Sequence, residues 1–298
     1  MPYRIGNAPC SWGVEFADSP SNPPWEDLLD ETRAAGYRGT ELGPVGYLPE
    51  SPALVGESLV RRGLELTAGV LYQPFHDASA WDGLLDSLHR TCRMLAPLGA
   101  RHLVFIDSVS PLRSRFAGDH RGAPRLDRGQ LSELHGRVRT ASRIARDDYG
   151  LLPCLHAHAG GCIEFEDELE RALEAVDEEL LGVCLDTGHS LYAGFDPVAL
   201  LRRHASRVTY VHLKDLDASV LRHCVSERAG FYESCARGVF CNLGTGAMDF
   251  AALQEALEEA GYDGWATVEQ DRGPQSVRSS FDDAAANLAF LRGAGLAA

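Results

Sequence analysis

Short apolar runs alternate along the chain with longer amphipathic stretches, and glycines punctuate many of the junctions. The apolar runs predict strands at Ile5–Ser11, Thr40–Leu42, Leu64–Leu71, Arg101–Ile106, Leu151–His158, Gly182–Asp186, Val208–Leu213 and Trp265–Glu269. The stretches between them predict helices at Pro24–Ala35, Ala53–Arg62, Trp81–Leu98, Arg128–Tyr149, Asp167–Val176, Pro197–His204, Phe250–Ala260 and Ser276–Arg292. Gly36, Gly63 and Gly99 stop the first three helices. The strands read as continuous apolar runs, as expected of a parallel sheet covered by helices. Eight strand–helix units in succession favour a single (β/α)8 TIM barrel over residues 1–298, rather than an open doubly wound sheet. Long loops at about 107–127 and 214–248 are expected to wall the active-site face.

A barrel of this kind places its chemistry where strands end and loops begin. Ser11-Trp12, Glu41, Asp107, His156, His158, Asp186, His212 and Glu269 all fall at or just past predicted strand ends. So many chelating or titratable groups at successive ends outweigh the alternative of a salt-bridge network closing the mouth.

The net charge of −15 argues against a phosphate-backbone partner, which needs a basic stripe. No apolar stretch reaches the length of a membrane helix, and the first residues carry no apolar signal region, so a cytoplasmic protein is expected. The eight cysteines contain no Cys-x-x-Cys pair, and Cys154 and Cys184 sit inside apolar runs. They read as reduced thiols. A homo-oligomer is compatible with all of this.

Among 28 basic residues a single one, Lys214, is lysine. An ammonium is a compact charge that can exchange a proton, which guanidinium in effect cannot. Lys214 stands two residues after His212, with Asp186-Thr-Gly-His189 upstream and Val268-Glu-Gln-Asp271 downstream. Asp186, His212 and Glu269 offer two carboxylates and an imidazole, and Glu164, His156 or His158 is expected to complete a metal site. Such a donor set suits Mn²⁺ or Co²⁺ first, then Mg²⁺ or Zn²⁺.

The order of Asp-Thr-Gly-His, His-x-Lys-Asp and a final Val-Glu resembles the sugar isomerase/epimerase group of xylose-isomerase-like barrels. Over nearly the whole chain, the myo-inosose-2 dehydratase family is more similar still. The matching pieces are Ala8-Pro-Cys-Ser-Trp-Gly13, Gly39-Thr-Glu-Leu-Gly43, His156-Ala-His-Ala-Gly-Gly-Cys-Ile-Glu164, His212-Leu-Lys-Asp215, Gly238–Asp249 and Glu269-Gln-Asp271. The resemblance implies a divalent metal held by Glu164, Asp186, His212 and Glu269. It also implies a cyclic keto-polyol, such as an inosose, or a keto-sugar as substrate.

In that chemistry the metal stabilises an enolate formed by loss of the proton next to a ketone. His158, His189 or Lys214 would act as base, and Lys214 would protonate the departing hydroxyl or instead polarise the carbonyl. Glu41, Trp12, His156, Asp215 and Arg222 are expected to contact the substrate. Elimination of water is the leading reading. Isomerisation or epimerisation through the same enediolate is second, and an abasic-site endonuclease or a non-catalytic polyol binder trails both.

Overall fold

The computed structural model describes residues 2–272 and 279–298 and is a (β/α)8 barrel. The strands are β1 Arg4–Asn7, β2 Gly39–Thr40, β3 in two pieces (Glu65–Leu66 and Ala68–Gln73), β4 His102–Asp107, β5 Leu152–His156, β6 Gly182–Asp186, β7 Val208–Leu213 and β8 Trp265–Val268. All pair in parallel. β1 lies between β2 and β8, and the remaining strands follow in order round the sheet. The first piece of β3 pairs with β2 and the second with β4, so the interrupted third strand carries the sheet round to closure.

Amphipathic helices cover the outside much as their spacing predicts, with Trp81–Leu95 and Glu166–Ala175 among those burying a leucine-rich stripe. The expected helix Arg128–Tyr149 keeps α geometry only to Arg143 and ends in a wider turn over Ile144–Asp148. The last helix is Ser280–Gly293; positions 276–278 of its expected start lie outside the described residues.

Two layers inside the barrel set the height of the site. Cys154, Cys184 and Tyr210 belong to a buried apolar cluster in the barrel. Each lies two residues before a polar residue on the same strand: His156, Asp186 and His212. Strand side chains alternate with period two, so each pair shares a face. Asp186 and His212 are register partners across β6 and β7. Glu269 follows β8, its backbone N–H bonded to the carbonyl of Leu213. Polar groups at adjacent strand ends therefore converge above an apolar floor.

The 214–248 segment is a folded lobe rather than an open loop. A short hairpin joins Asp215–Leu216 to Phe240–Cys241, and helices run over Ala218–Glu227 and Phe231–Ala236. Segment 107–127 contains the short helix Pro111–Ser114 and is anchored by Arg113, which is 2% exposed. Arg113 donates to both carboxylate oxygens of Glu168 (2.8 and 3.0 Å) and to Glu164 (3.3 Å).

The Asp186-Thr-Gly-His189 run is shaped around Lys214. The Asp186 carboxylate caps the helix Thr187–Tyr192 by accepting from the His189 N–H at 2.7 Å. The Thr187 hydroxyl donates to the Lys214 carbonyl (2.6 Å) and accepts from the Lys214 N–H (2.8 Å). A Cβ on Gly188 would stand 2.6 Å from Lys214 Cγ, so the lysine stem occupies the space that a side chain would need.

Two outcomes follow from this packing. Arg113→Ala leaves buried Glu164 without its cation and Glu168 with Arg125 alone, and is expected to cost about 3–5 kcal/mol in denaturant unfolding. Gly188→Ala is expected to move the single lysine ε-methylene resonance of protein labelled with ¹³C-lysine. Gly83→Ala, where a Cβ meets nothing within 4 Å, is expected to leave that resonance in place.

Candidate metal and proton-transfer site

The mouth holds a cavity of about 460 Å³ whose polar floor includes His156, His158, Lys214, Glu269 and Asp271. Tyr72, Phe231 and Tyr232 contribute an aromatic wall. His156, Asp186, His212 and Glu269 are all buried, and each offers a donor atom within 4.8 Å of the others'. His156 Nε2 is 3.2 Å from Asp186 Oδ2. His212 Nε2 donates to Glu41 Oε1 at 2.9 Å, which turns Nδ1 toward Asp186 Oδ2 (3.7 Å) and Glu269 Oε2 (3.3 Å). That Nδ1 is buried and, among the described residues, has no hydrogen-bond partner. An orphaned ring nitrogen facing two carboxylates fits a divalent cation, since buried polar atoms are otherwise nearly always paired. Burial works against a charged His212, but Glu269 and Glu41 outweigh it and hold the imidazole pKa well above its usual value.

Lys214 is buried beside this group, its Nζ 3.0 Å from Glu269 Oε2, 3.0 Å from Asp271 Oδ2 and 3.6 Å from Asp186 Oδ2. Burial pulls its pKa down, yet Asp271, Asp186 and Glu269 together raise it well above the ordinary lysine value. It stays an ammonium.

The three expected bases are thereby distinguished. Lys214 holds its proton too tightly to accept another. His189 Nδ1 accepts the Ala159 N–H at 3.1 Å, so its lone pair is committed and Nε2 carries the hydrogen. His158 Nδ1 lies 3.0 Å from the Ala159 carbonyl, which can only accept, so Nδ1 is protonated and Nε2 is left as a lone pair. Burial, then His189 and His156, keep the His158 pKa well below its usual value, so the ring is neutral. His158 lines the cavity, while His189 packs behind it with ring centroids 4.0 Å apart.

Several expected roles give way to structural ones. Glu164 stands apart from the chelating group: its carboxylate accepts from Gly118 N (2.7 Å), Gly160 N (3.0 Å) and Arg113, with its pKa pushed up to about 7 by burial. His156, expected to contact substrate or to complete a metal site, stands in the chelating group where Glu164 was expected. Asp215 accepts four backbone N–H groups, from Leu216, Gly244, Gly246 and Met248, and so pins the 242–248 turn instead of facing substrate. Trp12 donates to Glu31 at 2.7 Å and borders a neighbouring surface cleft, not the central cavity. Arg222 is exposed on the helix Ala218–Glu227. Glu41 lines the cavity but is 1% exposed, and its observed bond orients His212.

Asp271 is the site residue that sequence reasoning left out, although period-two spacing from Glu269 places both on one side of an extended segment. Phe231 also escaped notice. Its ring meets His158 at 4.9 Å, and nothing in the expected loop signalled a helix there.

A model of the xylose isomerase-like TIM barrel family matches residues 29–294. The rhizopine catabolism protein MocC of Rhizobium meliloti is 36% identical over 284 residues, covering 93% of this chain and 84% of that protein. An inosose dehydratase of Geobacillus kaustophilus is 31% identical over 276 residues, or 92% and 89% of the two chains. Among solved structures, the zinc-bound IolI protein superposes with a TM-score of 0.73 at 15% identity over 98% of each chain. An L-ribulose 3-epimerase does so at 0.71 and 19%, covering 99% of this chain and 94% of that one. Likeness at such identities speaks to the fold. The family match over most of the chain goes further: this protein is a member of the xylose isomerase-like TIM barrel family.

Proposed function

We propose that this protein is a divalent-metal-dependent lyase that eliminates water from an inosose or a similar cyclic keto-polyol. The observation that carries the reading is the cavity floor. It sets a neutral histidine with a free Nε2 beside a fixed ammonium and a buried group of four metal donors. Near full-length similarity to an inosose dehydratase supports the choice of substrate class.

His156, Asp186, His212 and Glu269 would hold the ion, with Glu41 fixing the ring orientation of His212 as outer carboxylates commonly do for metal-bound imidazoles. A bound divalent ion supplies Lewis-acid polarisation of a ketone and its neighbouring hydroxyl. The chain supplies the proton traffic. His158 Nε2 accepts the proton on the carbon next to the ketone. The Lys214 ammonium, fixed by Asp271 and Glu269, donates hydrogen bonds to oxygens on which negative charge develops. The imidazolium formed at His158 then returns its proton to the departing hydroxyl, so the C–H and C–O bonds break and water leaves. Tyr72 and Phe231 offer apolar faces to the C–H side of a ring and keep bulk water away from the transferring proton.

Incubation of metal-loaded protein with 2-keto-myo-inositol is expected to give a product lighter by one water. A chelator is expected to abolish the reaction, and Mn²⁺ or Co²⁺ to restore it. A rearranged NMR spectrum at unchanged mass would instead identify an isomerase or epimerase, which shares the first proton abstraction. His158→Ala is expected to lower kcat by about 10²–10⁴-fold while leaving metal affinity unchanged. Metal affinity itself depends on pH. Before Nδ1 can ligate, His212 must release the proton that its raised pKa retains, so binding strengthens as pH rises and expels protons. Calorimetry in buffers of different ionisation enthalpy reads that release directly.

A further inference from the structure

Glu269 belongs to two groups of donors at once. On one side stand His156, Asp186 and His212; on the other stand Cys10 and Asp271, whose donor atoms also lie within 4.8 Å of one another and of Glu269. The Lys214 ammonium occupies this second group, 3.0 Å from Glu269 Oε2 and 3.0 Å from Asp271 Oδ2. Cys10 lines the same cavity. Beyond Asp271 the His189 side chain is fully buried, and its Nε2 lies 3.4 Å from Asp271 Oδ2. Polar groups thus converge on a space that now holds an ammonium.

We propose that Lys214 is the built-in second cation of a two-cation centre: its ammonium fills a position that Cys10, Glu269 and Asp271 would otherwise offer to a second divalent ion. The inference rests on the proposed ion at His156, Asp186, His212 and Glu269, and adds that Lys214 limits this chain to that one ion.

Charge and size both favour the assignment. Glu41, Asp186, Glu269 and Asp271 bring four carboxylates into the buried floor. Carboxylates facing one another out of water need a cation between them or must take up protons. One divalent ion and one ammonium supply three positive charges; removing the ammonium leaves Glu269 and Asp271 facing each other without it. An ammonium is a compact point charge, whereas guanidinium is a broad planar fork. That difference accounts for lysine at this position in a chain that meets every other need for a basic side chain with arginine. Gly188 and Thr187 deliver the ammonium there, the first by making room for the stem and the second by gripping the Lys214 backbone. With the ammonium gone, a thiolate and two carboxylates form a donor set suited to Zn²⁺ or Co²⁺.

The test counts ions and identifies their ligands. Wild type, Lys214→Ala, Lys214→Met and the double variant Cys10→Ser/Lys214→Ala are loaded with Co²⁺. Each is assayed for metal per chain and for a thiolate-to-cobalt charge-transfer band. Lys214→Met keeps the stem packed on Gly188, and circular dichroism confirms its fold should the alanine variant unfold. Wild type is expected to hold one ion without the band. Both single variants are expected to hold two and to show it, and the double variant to lose the band and the second ion. Single variants that stay at one ion without a thiolate band would overturn the proposal, as would a wild type that binds two. A wild type that binds none would overturn the metal reading beneath it, and this inference with it.

Discussion

An ammonium buried among three carboxylates is the constraint around which the barrel mouth is arranged. Taking such a charge out of water costs several kcal/mol, which good geometry to opposite charges must offset. The Lys214 amine meets that demand with Asp271, Glu269 and Asp186. Those partners must then come from two strand ends and the segment after β8. The barrel brings them together because parallel strands in register raise their last residues to one height above a layer of Cys154, Cys184 and Tyr210. The Asp-Thr-Gly-His run serves the same end. Its Asp faces the ammonium, its Thr holds the lysine backbone, its Gly yields space to the stem, and its His approaches Asp271 from behind.

What the mouth can do chemically follows from which polar groups are committed and which are open. Glu164 and Asp215 are saturated by backbone N–H groups and, for Glu164, by Arg113. They build the walls formed by the 107–127 segment and the 214–248 lobe. Glu41 orients His212, and Ala159 fixes the tautomers of two neighbouring histidines in opposite senses through its N–H and its carbonyl. Two ring nitrogens matter most: Nδ1 of His212, which faces the carboxylates and must shed a proton to ligate, and Nε2 of His158, which keeps its lone pair. One suits a cation and the other a proton in transit.

Much of this was legible in the sequence, and the part that was not has a physical reason. Strand–helix alternation gave the barrel, and strand-end polarity singled out Asp186, His212 and Glu269, because both depend on local periodicity. The surroundings of Glu164 were not legible because its partner, Arg113, lies 51 residues away in a polar loop with no pattern of its own. Asp215 looked like a site residue for its place in His-Leu-Lys-Asp. Only the folded turn reveals four N–H groups converging on it. The surroundings of Trp12 and Arg222 were illegible for a related reason: a strand-end position and a long loop say nothing of which way a side chain turns. The two helices of the 214–248 lobe are short, and the first buries only Cys224, so neither has an apolar stripe long enough to stand out.

The proposed function places one divalent ion among His156, Asp186, His212 and Glu269. Anomalous diffraction at the cobalt edge, from crystals of wild-type protein grown with Co²⁺, tests it most directly. The account predicts one strong peak bounded by His212 Nδ1, His156 and oxygens of Asp186 and Glu269, with Lys214 beside it and Glu164 still on Arg113. A peak at Glu164 with none among these four residues would contradict it.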